Sequence, residues 1–150
     1  MIAQHRTRTA VLALAAAAAL TLTTAAAAAQ ARPPGTPAIP LNNEQETTGA
    51  TGGGHGFIAF EIADGEFCYT LEVEGLTAGA VAAHIHLAPR GVAGGVVVPL
   101  SVPNATAFTV EDCADADAAV LDAIAENPRA YYVNVHTPTY PGGEVRGQLK

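Results

Sequence analysis

From residue 55 onward the chain alternates apolar and polar side chains with a period of two. In 56–63, Ile58, Phe60 and Ile62 share a face. In 65–75, Phe67, Tyr69, Leu71 and Val73 point one way, and Cys68, Thr70, Glu72 and Glu74 the other. Such alternation predicts half-buried β-strands, and the intervening Asp64-Gly65 is a two-residue hairpin turn. Segment 81–87 alternates again, with Ile85 and Leu87 expected inward and His84 and His86 outward. Further strands are expected over 95–100, 105–110, 130–136 and 144–149, the last after the Pro141-Gly142-Gly143 turn.

One stretch breaks the pattern. Val120, Leu121, Ile124 and Ala125 form an i, i+3, i+4 stripe, with Asp115 or Asp117 as cap and Asn127-Pro128 as stop. That is a short helix packing on the sheet. Short strands with turn residues between them argue for a mostly β fold: an antiparallel Greek-key β-sandwich with one short helix before the penultimate strand.

The N-terminus reads differently. His5, Arg6 and Arg8 precede an apolar run from Ala10 to about Leu22, and the segment closes on Ala27-Ala28-Ala29. This is the layout of a signal peptide, placed at 1–29, with cleavage after Ala31 as the second choice. The run is shorter than the ~20 residues a membrane span needs, so no membrane association is expected after cleavage. Residues 30–54, with Arg32-Pro33-Pro34-Gly35-Thr36-Pro37 and Gly52-Gly53-Gly54, read as a flexible linker whose far end can join the first strand. The folded domain is then 55–150.

Charge narrows the partners. Residues 30–150 hold five of the seven Lys/Arg and all fourteen Asp/Glu, a formal charge of −9 (five against fourteen). Nucleic-acid affinity rests on cations neutralising phosphates, so nucleic acid is excluded and anionic lipid disfavoured. The two cysteines, Cys68 and Cys113, form an even count, which in an exported chain favours a disulfide. Free thiols serving a metal or a redox pair are the alternative, though C-x-x-C spacing is missing.

One series of segments runs Cys68-Tyr69-Thr70-Leu71, Gly75-Leu76-Thr77 and Ala83-His84-Ile85-His86, then GVAGGVVVPL from Gly91 to Leu100. Tyr132-Val133-Asn134-Val135-His136-Thr137 and the run from Tyr140 to Leu149 follow. In these segments and their order the chain resembles the CHRD domain, a module named after chordin and common in secreted bacterial proteins. Cys113 is similar to that family's second cysteine. The resemblance implies a fold and an extracytoplasmic compartment, with an extracellular or envelope partner, and no reaction.

Chemistry is concentrated in three histidines. His84 and His86 share a sheet face, roughly 7 Å apart at the backbone. His136 and Asn134 share a face of a later strand, and Glu144, Arg146 and Gln148 a face of the last. If these strands are neighbours, one polar patch gathers His84, His86, His136, Asn134, Glu144 and Arg146. Three neutral imidazoles there suit copper or zinc, with nitrogens expected about 3–4 Å apart around a shared ion. Cu/Zn superoxide dismutase offers a partial analogy, with Arg146 as an anion guide, but four histidines in 30–150 are too few for its paired sites. His55 beside the glycines is a weaker fourth ligand. The competing expectation is structural: the histidines hydrogen-bond to Asn134, Glu144 or loop carbonyls on a solvated face, and Glu144 and Arg146 form a surface ion pair.

Other chemistry finds little support. Asn104-Ala105-Thr106 fits a glycosylation pattern only weakly, and the glycines at 91–95 precede a strand rather than a helix. Ser101 lacks a nucleophile motif and no carboxylate pair stands out, so a hydrolase is not expected. The sequence reading is therefore an extracytoplasmic binding or structural module. Its alternative is a copper- or zinc-binding protein, superoxide-dismutase-like in one version.

Overall fold

A computed structural model describes residues 38–150. The proposed signal peptide lies outside them. Eight strands are present: β1 (Ile39–Asn42), β2 (His55–Ala63), β3 (Glu66–Glu74), β4 (Ala82–Leu87), β5 (Gly95–Leu100), β6 (Phe108–Asp115), β7 (Tyr131–His136) and β8 (Val145–Gln148). One helix, α1 (Ala118–Glu126), precedes β7. The strands form a single antiparallel sheet in the order β5-β4-β7-β8-β1-β2-β3-β6, curled until β5 and β6 touch. The result is a sandwich-like, nearly closed barrel. With β6 beside β5, the run β4-β5-β6 and the return of β7 to β4 make a Greek key.

Local chemistry accounts for these elements. Asp64 and Gly65 both adopt positive φ, 53° and 84°, as a tight hairpin with the right twist requires, and β2 pairs with β3 along its whole length. Helix α1 is capped by Asp117, whose carboxylate accepts the Ala119 N–H at 2.8 Å, and it buries Leu121 and Ile124 against the sheet. The core is aliphatic and aromatic: Ile58, Phe67, Leu71, Val73, Ile85, Val98, Val133, Val135, Val145 and Leu149 are fully buried.

Three sequence expectations are corrected. The stretch read as a linker supplies β1, between β8 and β2, with Ile39 and Leu41 buried in the core. Its apolar signal is only two residues long and interrupted by Pro40, so its surroundings outweighed it. Pro40 lacks an N–H, and β1 meets β8 at one register position, Asn42 with Arg146. The approach is close enough that a Cβ on Gly147 would stand 2.7 Å from the Pro40 carbonyl oxygen. Leu87 is exposed rather than inward, since the β4–β5 register shifts between Ile85 and His86. The strand expected at 105–110 starts later and continues to Asp115, carrying Cys113 directly opposite Cys68. Those cysteines form a disulfide across β3 and β6, and no free cysteine remains among the described residues.

Candidate metal centre

The β4-β7-β8 portion builds the site. Ile85, Val133 and Val135 face the core, so the alternate residues turn to the other side. Cross-strand register sets His84 opposite Asn134, His86 opposite Tyr132, and Asn134 opposite Arg146. The expected neighbourhood of strands is therefore real, and it brings His84, His86, His136, Asn134 and Arg146 onto one face.

That face is not solvated, contrary to the expected open polar patch. Asn134 and Arg146 are 1% exposed and Glu144 is 0% exposed. Turns at 43–46, 89–94 and 137–143 lie over it, and each donates or accepts hydrogen bonds from it. Buried polar groups must be partnered, and those of Asn134, Glu144 and Arg146 are.

The three histidines converge. His84 Nδ1 lies 3.0 Å from His136 Nε2, and one nitrogen from each of His84, His86 and His136 falls within 4.8 Å of the others. The first distance fits the expected spacing; the set as a whole is looser. The remaining nitrogens are held from behind. His136 Nδ1 is 2.9 Å from the Pro141 carbonyl oxygen, and His86 Nδ1 is 3.0 Å from that of Gly94. A carbonyl only accepts, so a proton on His136 Nδ1 leaves its Nε2 lone pair facing His84 Nδ1, whereas His86 Nε2 faces the Asn134 Oδ1 acceptor at 2.9 Å. A carbonyl behind the ring, as at His136, is how proteins fix the tautomer of metal-ligating histidines. The pKa of His84 is lowered by burial and then by the neighbouring His136 and His86, and that of His136 chiefly by burial. Both shifts favour the neutral, lone-pair-bearing ring. His84 is half-buried and gives the cluster its access. His55 lies apart, with its Nε2 3.8 Å from the Glu74 carboxylate.

Glu144 and Arg146 do not form the expected surface ion pair. Glu144 accepts the Thr77 N–H (2.7 Å), the Thr77 hydroxyl (2.9 Å) and the Thr137 hydroxyl (2.6 Å). It ties the loop after β3 to the end of β7. Arg146 donates to the Val92 and Pro89 carbonyls, both at 2.9 Å, and its guanidinium carbon sits 3.4 Å from the Tyr132 ring centroid. It binds a turn rather than guiding anions to the histidines. The Tyr132 ring also stacks on His86, with centroids 4.7 Å apart.

Glu46 went unnoticed in the sequence because it lay in the supposed linker. Its Oε1 is buried without a hydrogen-bond partner, while Oε2 accepts the Thr47 N–H at 3.2 Å. Burial raises its pKa, against lowering influences from Thr47, the Asn134 amide, Arg146 and His86. Asn43 was missed for the same reason: its amide donates to the Glu144 carbonyl at 2.7 Å. A second grouping of potential ligands, Glu66 with Cys68 and Cys113, has both sulfurs spent in the disulfide.

The CHRD domain family model matches residues 38–149, beginning at the threshold of β1 and ending at the last core residue. The chain belongs to the CHRD family. The match takes in β1. No curated protein and no solved structure matches the chain. No helix among the described residues is long and apolar enough to cross a membrane.

Proposed function

We propose that this CHRD chain is an exported binding module, and that one thing it binds is a copper or zinc ion held by His84, His86 and His136. The observation carrying the metal reading is the convergence of the three rings, with the Pro141 carbonyl behind His136. That carbonyl leaves the His136 Nε2 lone pair facing His84 Nδ1 at 3.0 Å, and His86 brings a third nitrogen within 4.8 Å of both. At metal–nitrogen distances near 2.05 Å, a 3.0 Å separation corresponds to an angle of about 95° at the ion, within reach of relaxed three-histidine coordination. The donor set is all imidazole, which suits copper and zinc over magnesium or calcium. A fourth position would be left for water or an anion. Export rests on the N-terminal segment and the family's extracellular setting, and the cross-strand disulfide accords with it.

A second reading has its own observation. His86 Nε2 is engaged by Asn134 Oδ1 at 2.9 Å, which favours a purely structural polar network under the loops. Metal analysis of the purified chain, after exposure to copper and then to zinc, separates the two. One bound ion per chain, lost in His84→Ala, supports the metal module. No bound ion, with the variant as stable as the parent, leaves the network alone. Secretion is tested by N-terminal sequencing of protein recovered outside the cytoplasm, which should begin at Gln30 or Arg32.

A further inference from the structure

The charges of this acidic chain are unevenly placed. Residues 38–150 contain all fourteen acidic side chains and only four cations: Arg90, Arg129, Arg146 and Lys150. None of the four forms an ion pair with a carboxylate among the described residues. Arg90, Arg129 and Lys150 nevertheless line adjoining cavities at one margin of the barrel, with the buried Arg146 holding the turn that carries Arg90. Arg146 already has carbonyl partners and the charge of Glu46 near it, which leaves Arg90, Arg129 and Lys150 as like charges that an anion would compensate.

Their setting is concave. A cavity of about 340 Å³ lies over β1 and β8, and a second of about 230 Å³ adjoins it; Arg90, Gln148 and Lys150 line both, and Arg129 lines the second. Gln148 builds the floor. Its buried amide Nε2 lies 2.9 Å from the Ala88 and Arg129 carbonyls and 2.8 Å from that of Tyr131. One side chain thus anchors the backbone at Arg129 and two residues before Arg90. Arg146 fixes the same turn on both sides of Arg90, through Pro89 and Val92. Exposed arginines are mobile by default; here the backbone carrying two of them is pinned to the cavity wall.

The rest of the lining indicates what would sit there. Asn42, Glu44 and Gln45 line the larger cavity. Amides and a carboxylate pair well with hydroxyl groups, whereas Glu44 would repel a bare polyanion. Two joined cavities are also too roomy for one inorganic anion. We infer that this furrow binds an acidic oligosaccharide, with its carboxylates on Arg90, Arg129 and Lys150 and its hydroxyls on Asn42, Glu44 and Gln45. The site is distinct from the histidine cluster and does not depend on a metal.

Isothermal titration of the full chain with trigalacturonate, at low and at moderate salt, tests this. Binding should appear at low salt, weaken as salt rises, and fall by at least about tenfold in Arg90→Gln/Arg129→Gln, which loses two charge-assisted contacts. Both arginines are exposed, so the variant should fold; Lys150→Gln provides an independent check with a smaller loss in the same direction. Maltotriose, neutral and of similar size, should not bind. The inference is overturned if trigalacturonate fails to bind, if the variants bind it unchanged, or if inorganic phosphate or maltotriose binds as tightly.

Discussion

His86 Nε2 lies 2.9 Å from Asn134 Oδ1, while the other nitrogen of the same ring faces the Gly94 carbonyl at 3.0 Å. Both partners accept, yet a neutral imidazole donates from only one nitrogen. Turning the Asn134 amide over would not help, because its Nδ2 faces the Gly142 carbonyl and stands near the Glu46 carboxylate. A ring protonated on both nitrogens would satisfy both acceptors; on the metal reading proposed above, His86 would instead give its Nε2 lone pair to the ion once Asn134 moved away. Asn134→Ala should therefore bind zinc or copper more tightly than the parent, measured by competition against a chelator. The metal-free variant should be less stable by about 1–3 kcal/mol, the usual cost of stripping a buried hydrogen-bonding group. Weaker metal binding in Asn134→Ala would show that the amide positions His86 instead of competing for it.

The barrel's strands were legible because alternation and turn chemistry are local. Asp64-Gly65, the β2 and β3 faces and the Asn127-Pro128 stop all read correctly from adjacent residues. The co-facial set of His84, His86 and His136 was legible too, since period-two geometry needs only the strands to be neighbours. What stayed hidden depended on contacts distant in sequence. Ile39 and Leu41 are too few to signal a strand, and β1 exists because β8 and β2 flank it. The burial of Glu144 and Arg146 comes from turns folding over the sheet, and strand periodicity carries no trace of a covering loop. A polar residue on the non-core face looks solvent-bound from sequence whether or not a loop later covers it.

Glu144 is the busiest of these covered groups. Its carboxylate takes three hydrogen bonds from Thr77 and Thr137, and its own N–H donates to the Val135 carbonyl at 2.8 Å. Glu144→Ala would leave the Thr77 N–H and two hydroxyls without their partner in a closed space. A loss of about 3 kcal/mol in urea unfolding is expected, with Glu144→Gln losing less because an amide oxygen can still accept. Faster hydrogen exchange at Thr77 in Glu144→Ala would locate the damage. A change below about 0.5 kcal/mol would mean water replaces the carboxylate at no penalty.

The disulfide bears on the margin of the sheet. Cys68 and Cys113 face each other across β3 and β6, and they close a 45-residue separation. Chain entropy alone gives such a crosslink about 4 kcal/mol. Thiol titration of the denatured, unreduced chain should find no reactive group. The Cys68→Ala/Cys113→Ala double variant should unfold at markedly lower urea, with amide exchange accelerating first in β6, which has only β3 as a hydrogen-bonded neighbour. Two titratable thiols, or a double variant as stable as the parent, would contradict this.

Glu46 sets a pH dependence whose sign is unusual for a carboxylate. Burial lifts its pKa above the ordinary 4.5, because Oε1 is enclosed without a donor and the nearby Thr47 N–H, Asn134 amide and Arg146 charge compensate only in part. The folded chain then holds this proton more tightly than the unfolded chain does. Its contribution to stability is full below pH 4.5 and is lost as pH rises through the raised value, so the ionised carboxylate is a burden at neutral pH. Glu46→Gln keeps the shape and removes the charge. In chelator-treated protein it should be more stable than the parent at pH 7 and gain little at pH 4, the gap opening as pH increases between them. Urea midpoints for the two proteins across that range provide the comparison, since groups not coupled to Glu46 titrate alike in both and cancel. An offset that stays constant with pH would mean that the charge of Glu46 is already compensated in the fold.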